Sequence, residues 1–446
     1  MKGKNMKIKK LRIEKLYNLY NYEIYFDDNL NILYGENGCG KTTILNIIAS
    51  IISGKIYELF KYEFEKIYLQ YFDDKKNKNS YINIVTLKRG ILECNIDDEK
   101  FKIDYEKIKI DINTFRFIDG EQNEREIQNY IFEKIPKLEQ IYFKFNSMYL
   151  PINRVNNNYL INEFDDNYIL RRNRIYQDDK YFLYRKDFNL LKVTEMIKNF
   201  CMDANAKMEK ANKEFRNSLL KSLLSLEKVD MTNIITVLKE KNYLKVRKNK
   251  YLKILKDNEL LDNNSEEKYN KLFDELNTKI NYGNIDNSYN LEFLFTIAEV
   301  SKMDSIIKMA DSLEKKQQTI FAPVEKFCNI VNLFLTKNGR EKEISIINGN
   351  IVFKNLKSSK PIELEYLSSG EKQIIIFFAY LIFGIQSKQP AIVIVDEPEL
   401  SLHLYWQKIF IDSVLQVNEG AQYIFATHSP EFVGRYRNYM KKLEVI

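Results

Sequence analysis

Residues 35–43 read Gly-Glu-Asn-Gly-Cys-Gly-Lys-Thr-Thr and match the pattern Gly-x-x-x-x-Gly-Lys-Thr. Glycines at this spacing let backbone amides converge on phosphate oxygens at the positive end of the helix that follows. The chain has only 14 glycines, so three within six residues ahead of a Lys-Thr pair argue against a chance turn. We therefore predict a phosphate-binding loop, in which the nucleotide-binding residues are Gly35, Asn37, Gly38, Gly40, Lys41, Thr42 and Thr43.

The segments on both sides of this loop have the character that it requires. Residues 30–34 predict a strand that leads directly into the loop, and the apolar residues of 42–52 have helical spacing. Residues 66–120 predict short strands separated by turns, and residues 141–150 predict a further strand that stops at the following proline. The loop therefore lies in the strand–loop–helix context of a phosphate site.

The C-terminal part of the chain alternates between strands and helices. An Asn-Gly pair at residues 348–349, flanked by apolar alternation, is a strong hairpin signal. The alternation of helix and strand after it favours a parallel sheet. The predicted elements are hairpin strands 343–347 and 351–353, helix 371–386, buried strand 391–395, helix 403–417 and strand 422–426.

The strand at 391–395 ends in a pair of carboxylates. Its four consecutive aliphatic residues, 392–395, indicate a central strand that is buried on both faces. Asp396 at its tip would hold a magnesium ion, to which the Thr42 hydroxyl is a second ligand. Glu397 would orient and deprotonate the attacking water. An Asp-Glu pair at a strand end is usually a solvated cap, so this assignment depends on the phosphate loop upstream.

Two further segments accompany the acidic strand. Leu-Ser-Ser-Gly-Glu-Lys-Gln at 367–373 predicts a helix start, with Ser368 or Ser369 as the cap and Gly370 permitting close backbone approach. In isolation, a plain capped helix is an equally good interpretation. The chain has only two histidines, and one of them, His428, lies in Phe-Ala-Thr-His-Ser-Pro at 425–430.

These four segments together resemble those of ABC-class P-loop ATPases, in the soluble branch with SMC, RecF and OLD-type proteins. They correspond to the Walker A loop, the signature, the Walker B strand with its catalytic glutamate, and the switch histidine. The resemblance covers residues 1–155 and 321–446. It implies an α/β, ABC-type P-loop NTPase fold with a mixed sheet, ATP and Mg²⁺ as cofactors, and ATP hydrolysis at a rate that the sequence does not reveal.

The resemblance also implies a site shared between two copies. In that family the signature of one protomer completes the ATP site of the other. Ser369 and Gly370 would then contact the γ-phosphate of the partner's ATP, while His428 would contact the γ-phosphate within its own chain. We therefore expect a homo-oligomer, either an ATP-dependent dimer or a higher assembly.

Three positions of the family pattern stay open. The Q-loop glutamine has only unsupported candidates, Gln122 and Gln140. His403 resembles a histidine that recurs after the acidic strand of OLD-like ATPases, but a helix-capping or interface role is favoured. Arg154 ends a Leu-Pro-x-x-Arg element similar to one in several defence ATPases, and a plain strand-ending turn explains it equally well.

The middle of the chain differs in composition. No glycine occurs between residues 120 and 283, and apolar residues recur at three- and four-residue spacing over 187–335. We predict a helical, coiled-coil-like insert of one or two antiparallel hairpins at 156–320, between ATPase lobes at 1–155 and 321–446. The absence of a sustained heptad argues against a long rod. The basic run 241–256 could bind nucleic acid, but packing with a solvated basic face is favoured.

Composition sets further limits. The net charge of +7 permits contact with nucleic acid without requiring it. The four cysteines show no zinc-ligand spacing and suggest no disulfide framework, and the N-terminus has no secretory signal. No apolar run reaches the roughly 20 residues that a membrane span needs. We expect a cytoplasmic protein without membrane contact.

The resemblance supports two main uses of ATP. Only sixteen residues follow Pro430, too few for the Toprim nuclease domain of OLD proteins. The first hypothesis is therefore an ATPase of anti-phage defence, similar to the ATPase subunit of PARIS systems or to Septu- and retron-associated ATPases. It would respond to a phage protein and regulate a separate effector such as a Toprim or HNH nuclease. The alternative is a RecF- or SMC-like ATPase that binds DNA in repair or chromosome maintenance. A scaffold that holds ATP without turnover is a third interpretation.

Overall fold

The computed structural model describes residues 6–73, 77–97, 99–108, 120–150, 188–224, 243–258, 261, 266–271, 273–274, 291–336, 341–358, 360–384 and 392–443. The chain divides into two compact units. The first contains Met1–Lys198 and Lys326–Ile446, and the second contains Asn199–Glu325.

The described strands all belong to the first unit. They are β1 (Met6–Leu16), β2 (Tyr20–Tyr25), β3 (Leu30–Tyr34), β4 (Lys66–Asp73), β5 (Lys78–Lys88), β6 (Ile91–Ile96), β7 (Glu99–Asp104), β8 (Ser147–Leu150), β9 (Lys342–Ile347), β10 (Asn350–Asn355), β11 (Pro361–Ile362), β12 (Ile392–Asp396), β13 (Gln422–Thr427) and β14 (Met440–Lys442).

The described α-helices range from one turn to twelve turns in length. They are α1 (Lys41–Ile52), α2 (Gly120–Lys134), α3 (Pro136–Phe145), α4 (Phe188–Leu224), α5 (Tyr243–Asp257), α6 (Leu291–Leu335), α7 (Ser369–Phe383), α8 (Leu404–Val417) and α9 (Pro430–Val433). Short 3-10 turns cover Ile56–Lys61, Leu364–Tyr366 and Gly434–Tyr439. No helix in the described ranges is long and apolar enough to cross a bilayer.

A parallel sheet brings the two ends of the chain together. Its strand order is β14-β3-β13-β12-β8, and every neighbouring pair is parallel. The strand that precedes the phosphate loop, β3, therefore lies between two strands from the C-terminal part. In register, Asp396 pairs with Ala426, and Thr427 pairs with Tyr34. Since parallel strands end at the same edge, the segments that follow β3, β12 and β13 emerge side by side.

A six-stranded antiparallel sheet covers the N-terminal part, in the order β2-β1-β4-β5-β6-β7, and β9, β10 and β11 form a small antiparallel sheet. The α/β class is confirmed, and among the described strands the parallel and antiparallel pairs lie in separate sheets. The strand, loop and helix around the phosphate site, the hairpin at 348–349 and the alternating elements of the C-terminal part are confirmed as well.

The predicted strand at 141–150 is wrong in its first half. Residues up to Phe145 belong to α3, and Asn146, with a φ of 43°, separates this helix from the short β8. Leu138, Ile141 and Phe145 recur at helical spacing and are fully or almost fully buried. Proline at the first helical position also favours a helix start here. A short apolar segment of this kind fits both the helical and the strand period, so its sequence alone does not distinguish the two.

The second unit is helical where the structure describes it. Side chains of α4, α5 and α6, together with Phe273 between α5 and α6, share one apolar cluster. Its other members are Phe215, Leu219, Tyr251, Leu255, Val300, Met303, Ile306 and Ile307. The described part of the second unit is therefore a packed helical body with its own core, while the predicted insert bounds of 156–320 stay a prediction. Turn-forming residues at 230–232 and 262–265 predict breaks between helices of the insert, and both stretches lie outside the described ranges.

Gln422 connects the parallel sheet to the antiparallel sheet. Its side chain is fully buried, and its Oε1 accepts a hydrogen bond from the Ile8 amide at 2.8 Å. Its Nε2 donates to the carbonyls of Ile8 and Asp27, each at 2.8 Å. One amide side chain thus satisfies three backbone groups more than 390 residues away in sequence.

Replacing Gln422 with leucine should destabilise the first unit, because three backbone groups lose their partner in a dry environment. We expect the free energy of unfolding to fall by about 2–4 kcal/mol. Urea denaturation followed by fluorescence measures it, since the single tryptophan, Trp406, is buried in this unit. Gln140→Leu, at an exposed position of α3, is the matched control. Equal stability of the two variants would contradict the role of Gln422.

Candidate functional site

The phosphate loop needs its glycines for two different reasons. Gly38 and Gly40 have φ of 84° and 83°, in the left-handed region that glycine adopts without strain. A Cβ on Gly35 would lie 2.7 Å from the Cys39 sulfur, so a larger residue there would displace the Cys39 side chain inside the loop. Tyr22 on β2 braces the loop, because its hydroxyl donates to the Cys39 carbonyl at 3.1 Å. Nothing in the sequence marked Tyr22 as part of this site.

Lys41 lies inside the loop. It is 6% exposed, and its Nζ donates to the carbonyls of Gly35 at 2.7 Å and Glu36 at 2.9 Å. The first turn of α1 contains no acidic residue, so the helix N-terminus keeps its positive character for an anion. Asn37 and Thr42 are exposed at the same loop, and Thr43 is partly exposed. The arrangement suits a polyphosphate.

Asp396 is a fully buried carboxylate without a hydrogen-bond partner on either oxygen among the described residues. Burial raises the pKa of Asp396 to about 6. The nearby charges of Glu397 and Glu399 add to this rise, while Thr42 and Lys41 oppose it. An orphaned carboxylate beside a hydroxyl is the donor set that magnesium takes from protein, with the remaining ligands supplied by water and phosphate. Thr42 and Asp396 therefore fit the predicted metal ligands.

Glu397 and His428 face each other at the sheet edge. The two atoms Glu397 Oε1 and His428 Nδ1 lie 3.5 Å apart, and their side chains are 18% and 45% exposed. Glu397 has a φ of 43°, which is strained for a residue with a Cβ, and its amide donates to the Ala426 carbonyl at 2.9 Å. This left-handed turn follows β12 and places the Glu397 carboxylate beside His428. The structure thus brings the two predicted catalytic residues together.

Glu399 is a residue of this site to which the sequence analysis gave no role. Its side chain is 6% exposed and accepts hydrogen bonds from the Thr427 hydroxyl and from the His428 amide, the latter at 3.2 Å. The only mark of this residue in the sequence is a second carboxylate two residues after Glu397, and its partners, Thr427 and His428, lie 28 and 29 residues further on.

The signature segment begins α7 with a capping box. Ser368, not Ser369, is the cap: its hydroxyl accepts from the Glu371 amide at 3.4 Å, and Glu371 accepts from the Ser368 amide at 2.8 Å. Burial would raise the pKa of Glu371, but Lys342, at 2.9 Å from both oxygens, and the Ser368 amide hold it below its ordinary value. The start of α7 is therefore rigidly held.

Gly370 is buried against its own chain. A Cβ there would lie 2.5 Å from the Ser401 carbonyl oxygen, so the residue must be glycine for packing alone. Gln373 also ties α7 to the segment after β12, since its Nε2 donates to the Pro398 carbonyl at 3.2 Å. Ser369 is exposed. The contact of Ser369 and Gly370 with a partner's nucleotide stays a prediction.

His403 caps α8, where its Nδ1 accepts from the Tyr405 amide at 3.4 Å. The helix-capping interpretation of this histidine is confirmed. Of the two Q-loop candidates, Gln140 is exposed on α3. Gln122 lies in α2, and its side chain is outside the described part, as is Arg154.

The basic run of α5 is largely paired within its own unit. Tyr251, Leu252 and Leu255 are buried, which accounts for the apolar face. These contacts favour the interpretation of a packed helix over that of a nucleic-acid surface. The ion pairs are Arg247–Asp304 at 3.7 Å, Lys248–Asp274 at 3.3 Å, Lys250–Asp311, and Lys256–Glu266 at 2.7 Å.

Comparison with known proteins gives a family match over most of the chain. Residues 6–433 match the model of a family described as AAA ATPase domain. The DNA replication and repair protein RecF of Clostridioides difficile is 25% identical over 232 residues, which cover 48% of this chain and 61% of that protein. RecF of Shewanella sediminis is 28% identical over 106 residues, or 23% of this chain and 29% of that protein. The chain thus spans less than two thirds of each relative.

A solved structure aligns over the whole chain at low similarity. It is the Smc head domain of Pyrococcus furiosus with an extended coiled coil, bound to the C-terminal domain of ScpA. The alignment covers 99% of this chain and 96% of that one, with 12% identity and a TM-score of 0.44. At that TM-score the likeness carries no conclusion.

Replacing Asp396 with asparagine should reveal the cost of burying this charge. In the metal-free protein the pKa of Asp396 is higher in the folded than in the unfolded state. The protonated carboxyl therefore stabilises the fold below the unfolded pKa, and this contribution is lost as pH rises through the folded pKa. The variant should therefore gain about 3 kcal/mol of unfolding free energy relative to wild type between about pH 4 and about pH 8. Urea denaturation in the presence of a chelator measures it. A pH-independent difference would contradict the buried charge.

Proposed function

The chain belongs to the AAA ATPase domain family, and on that premise we propose that it is a magnesium-dependent ATP hydrolase whose nucleotide state controls the pairing of two copies. The observation that carries the proposal is the common edge of the parallel sheet. The phosphate loop follows β3, the pair Asp396 and Glu397 follows β12, and His428 follows β13.

The residues of this edge divide the work of hydrolysis. The loop amides and Lys41 bind the phosphates. The Lys41 ammonium, which donates to the Gly35 and Glu36 carbonyls, would donate to phosphate oxygens instead. Thr42 and Asp396 would hold a magnesium ion, which would neutralise charge on the phosphate oxygens. Glu397 orients a water molecule and accepts its proton, and His428, 3.5 Å away, donates toward the γ-phosphate.

Exposed apolar side chains support pairing of two copies. Tyr366 is 75% exposed directly before the signature segment, and Leu400 and Leu404, at 41% and 57%, follow the acidic strand. Large apolar side chains exposed next to a candidate site are typical of interaction surfaces. A second copy that brings its signature segment to the phosphate loop would cover them, as the sequence resemblance implies.

The RecF matches favour DNA maintenance as the use of ATP, since RecF is described as a DNA replication and repair protein. The paired charges of α5 argue that DNA would be contacted elsewhere. Regulation of a separate nuclease in anti-phage defence is the second candidate and rests on the sequence resemblance alone. Stimulation of turnover by duplex DNA supports the first use, and copurification with a nuclease supports the second. A cytoplasmic location stays a prediction.

Replacing Glu397 with glutamine should abolish turnover and leave ATP binding intact, because the amide orients water but accepts no proton. We expect kcat to fall about a hundredfold or more. Phosphate release measures turnover, and light scattering with ATP and Mg²⁺ should show the variant trapped as a dimer or higher oligomer. Glu419→Gln, an exposed carboxylate before β13, is the control. Unchanged hydrolysis in Glu397→Gln would sink the proposal.

A further inference from the structure

Glu399 holds the turn that contains His428. Its Oε1 accepts two hydrogen bonds from consecutive residues, one from the Thr427 hydroxyl and one from the His428 amide at 3.2 Å. The Thr427 hydroxyl in turn accepts from the Ser429 amide at 3.0 Å. Thr427 is fully buried, so water does not compete for these bonds. The backbone on both sides of His428 is thereby fixed by one carboxylate oxygen.

A second contact holds the same turn from the other side. The Ser429 hydroxyl donates to Gln407 Oε1 at 2.9 Å, and Gln407 Nε2 donates to the Leu402 carbonyl at 3.0 Å. Both Glu399 and Gln407 follow the acidic strand in sequence. Two side chains that follow β12 in sequence, Glu399 and Gln407, thus contact the His428 turn from two sides.

The hydrogen bonds from Thr427 and His428 to Glu399 set the position of the imidazole relative to Glu397. His428 Nδ1 lies 3.5 Å from Glu397 Oε1 and 3.8 Å from Glu399 Oε1. The imidazole is 45% exposed, so neighbouring side chains do not fully enclose it. Its direction thus depends on the backbone of residues 427–429, which Glu399 fixes.

We propose that Glu399 is a positioning residue for hydrolysis, which acts by accepting hydrogen bonds from Thr427 and His428 and so keeps the His428 imidazole beside Glu397. The inference rests on the proposed ATPase function. One carboxylate oxygen of Glu399, Oε1, accepts both of these hydrogen bonds. The other oxygen, Oε2, is buried and has no hydrogen-bond partner in the described part of the chain. A neutral acceptor of the same shape should therefore replace the carboxylate.

Histidine NMR tests the positioning without any turnover. The chain has only two histidines, so protein labelled with ¹³C at histidine Cε1 gives two ring resonances, and His403 on α8 is an internal control. His403→Gln assigns them. Glu399→Ala and the isosteric Thr427→Val should each shift or broaden the His428 resonance by more than its linewidth and leave that of His403 in place. Glu399→Gln should keep it near the wild-type position. An unmoved His428 resonance in both Glu399→Ala and Thr427→Val would overturn the proposal.

Kinetic measurements then show whether hydrolysis requires the hydrogen bonds that Glu399 accepts or its negative charge. Glu399→Ala should lower kcat about ten- to a hundredfold with KM for ATP unchanged, because a displaced catalytic group costs rate rather than substrate binding. Glu399→Gln should keep kcat within about threefold of wild type, as should the exposed control Glu419→Ala. If Glu399→Gln is as impaired as Glu399→Ala, the charge is required and the proposal is wrong. An inactive wild type would instead contradict the ATPase function, while the NMR result would still test whether the hydrogen bonds to Glu399 position His428.

Discussion

The parallel pairing of β3 with β13 is the constraint on which the site depends. It places a strand from the first tenth of the chain between β13 and β14, and Thr427 comes into register with Tyr34. Because parallel strands end together, the phosphate loop and the His428 turn emerge at one edge, with the acidic pair beside them. Gln422 reinforces this closure through the backbone of β1. A nucleotide site built this way exists only when both ends of the chain are folded together.

The site concentrates features that cost stability. Among the residues that the structure describes, neither oxygen of the buried Asp396 and only one oxygen of Glu399 has a hydrogen-bond partner, and Glu397 has a left-handed backbone. Such features persist only where the surrounding structure holds them, here a sheet edge fixed by β3, β12 and β13. The phosphate loop opposite supplies the positive charge of Lys41 and of the α1 N-terminus. A metal ion and a polyphosphate would relieve the first of these costs directly.

Local patterns predicted the parts of the molecule that depend on local physics. The glycine spacing of the loop, the aliphatic run of β12 and the capping role of His403 each follow from a few neighbouring residues. The sequence of α3 predicts a strand over its second half because short apolar segments fit both the helical and the strand period. Gln422 and Glu399 act on backbone that is distant in sequence, and no local pattern records such partners. The capping box explains why Ser368, rather than Ser369, is the N-cap of α7.

Amide hydrogen exchange with a non-hydrolysable ATP analogue and Mg²⁺ tests most directly whether the two ends of the chain build one nucleotide site. The account predicts that protection rises together in the phosphate loop, in the segment after β12 and in the His428 turn, because all three line one sheet edge. The exposed face of α3 should be unaffected and provides the internal reference. Protection confined to the phosphate loop would contradict the account.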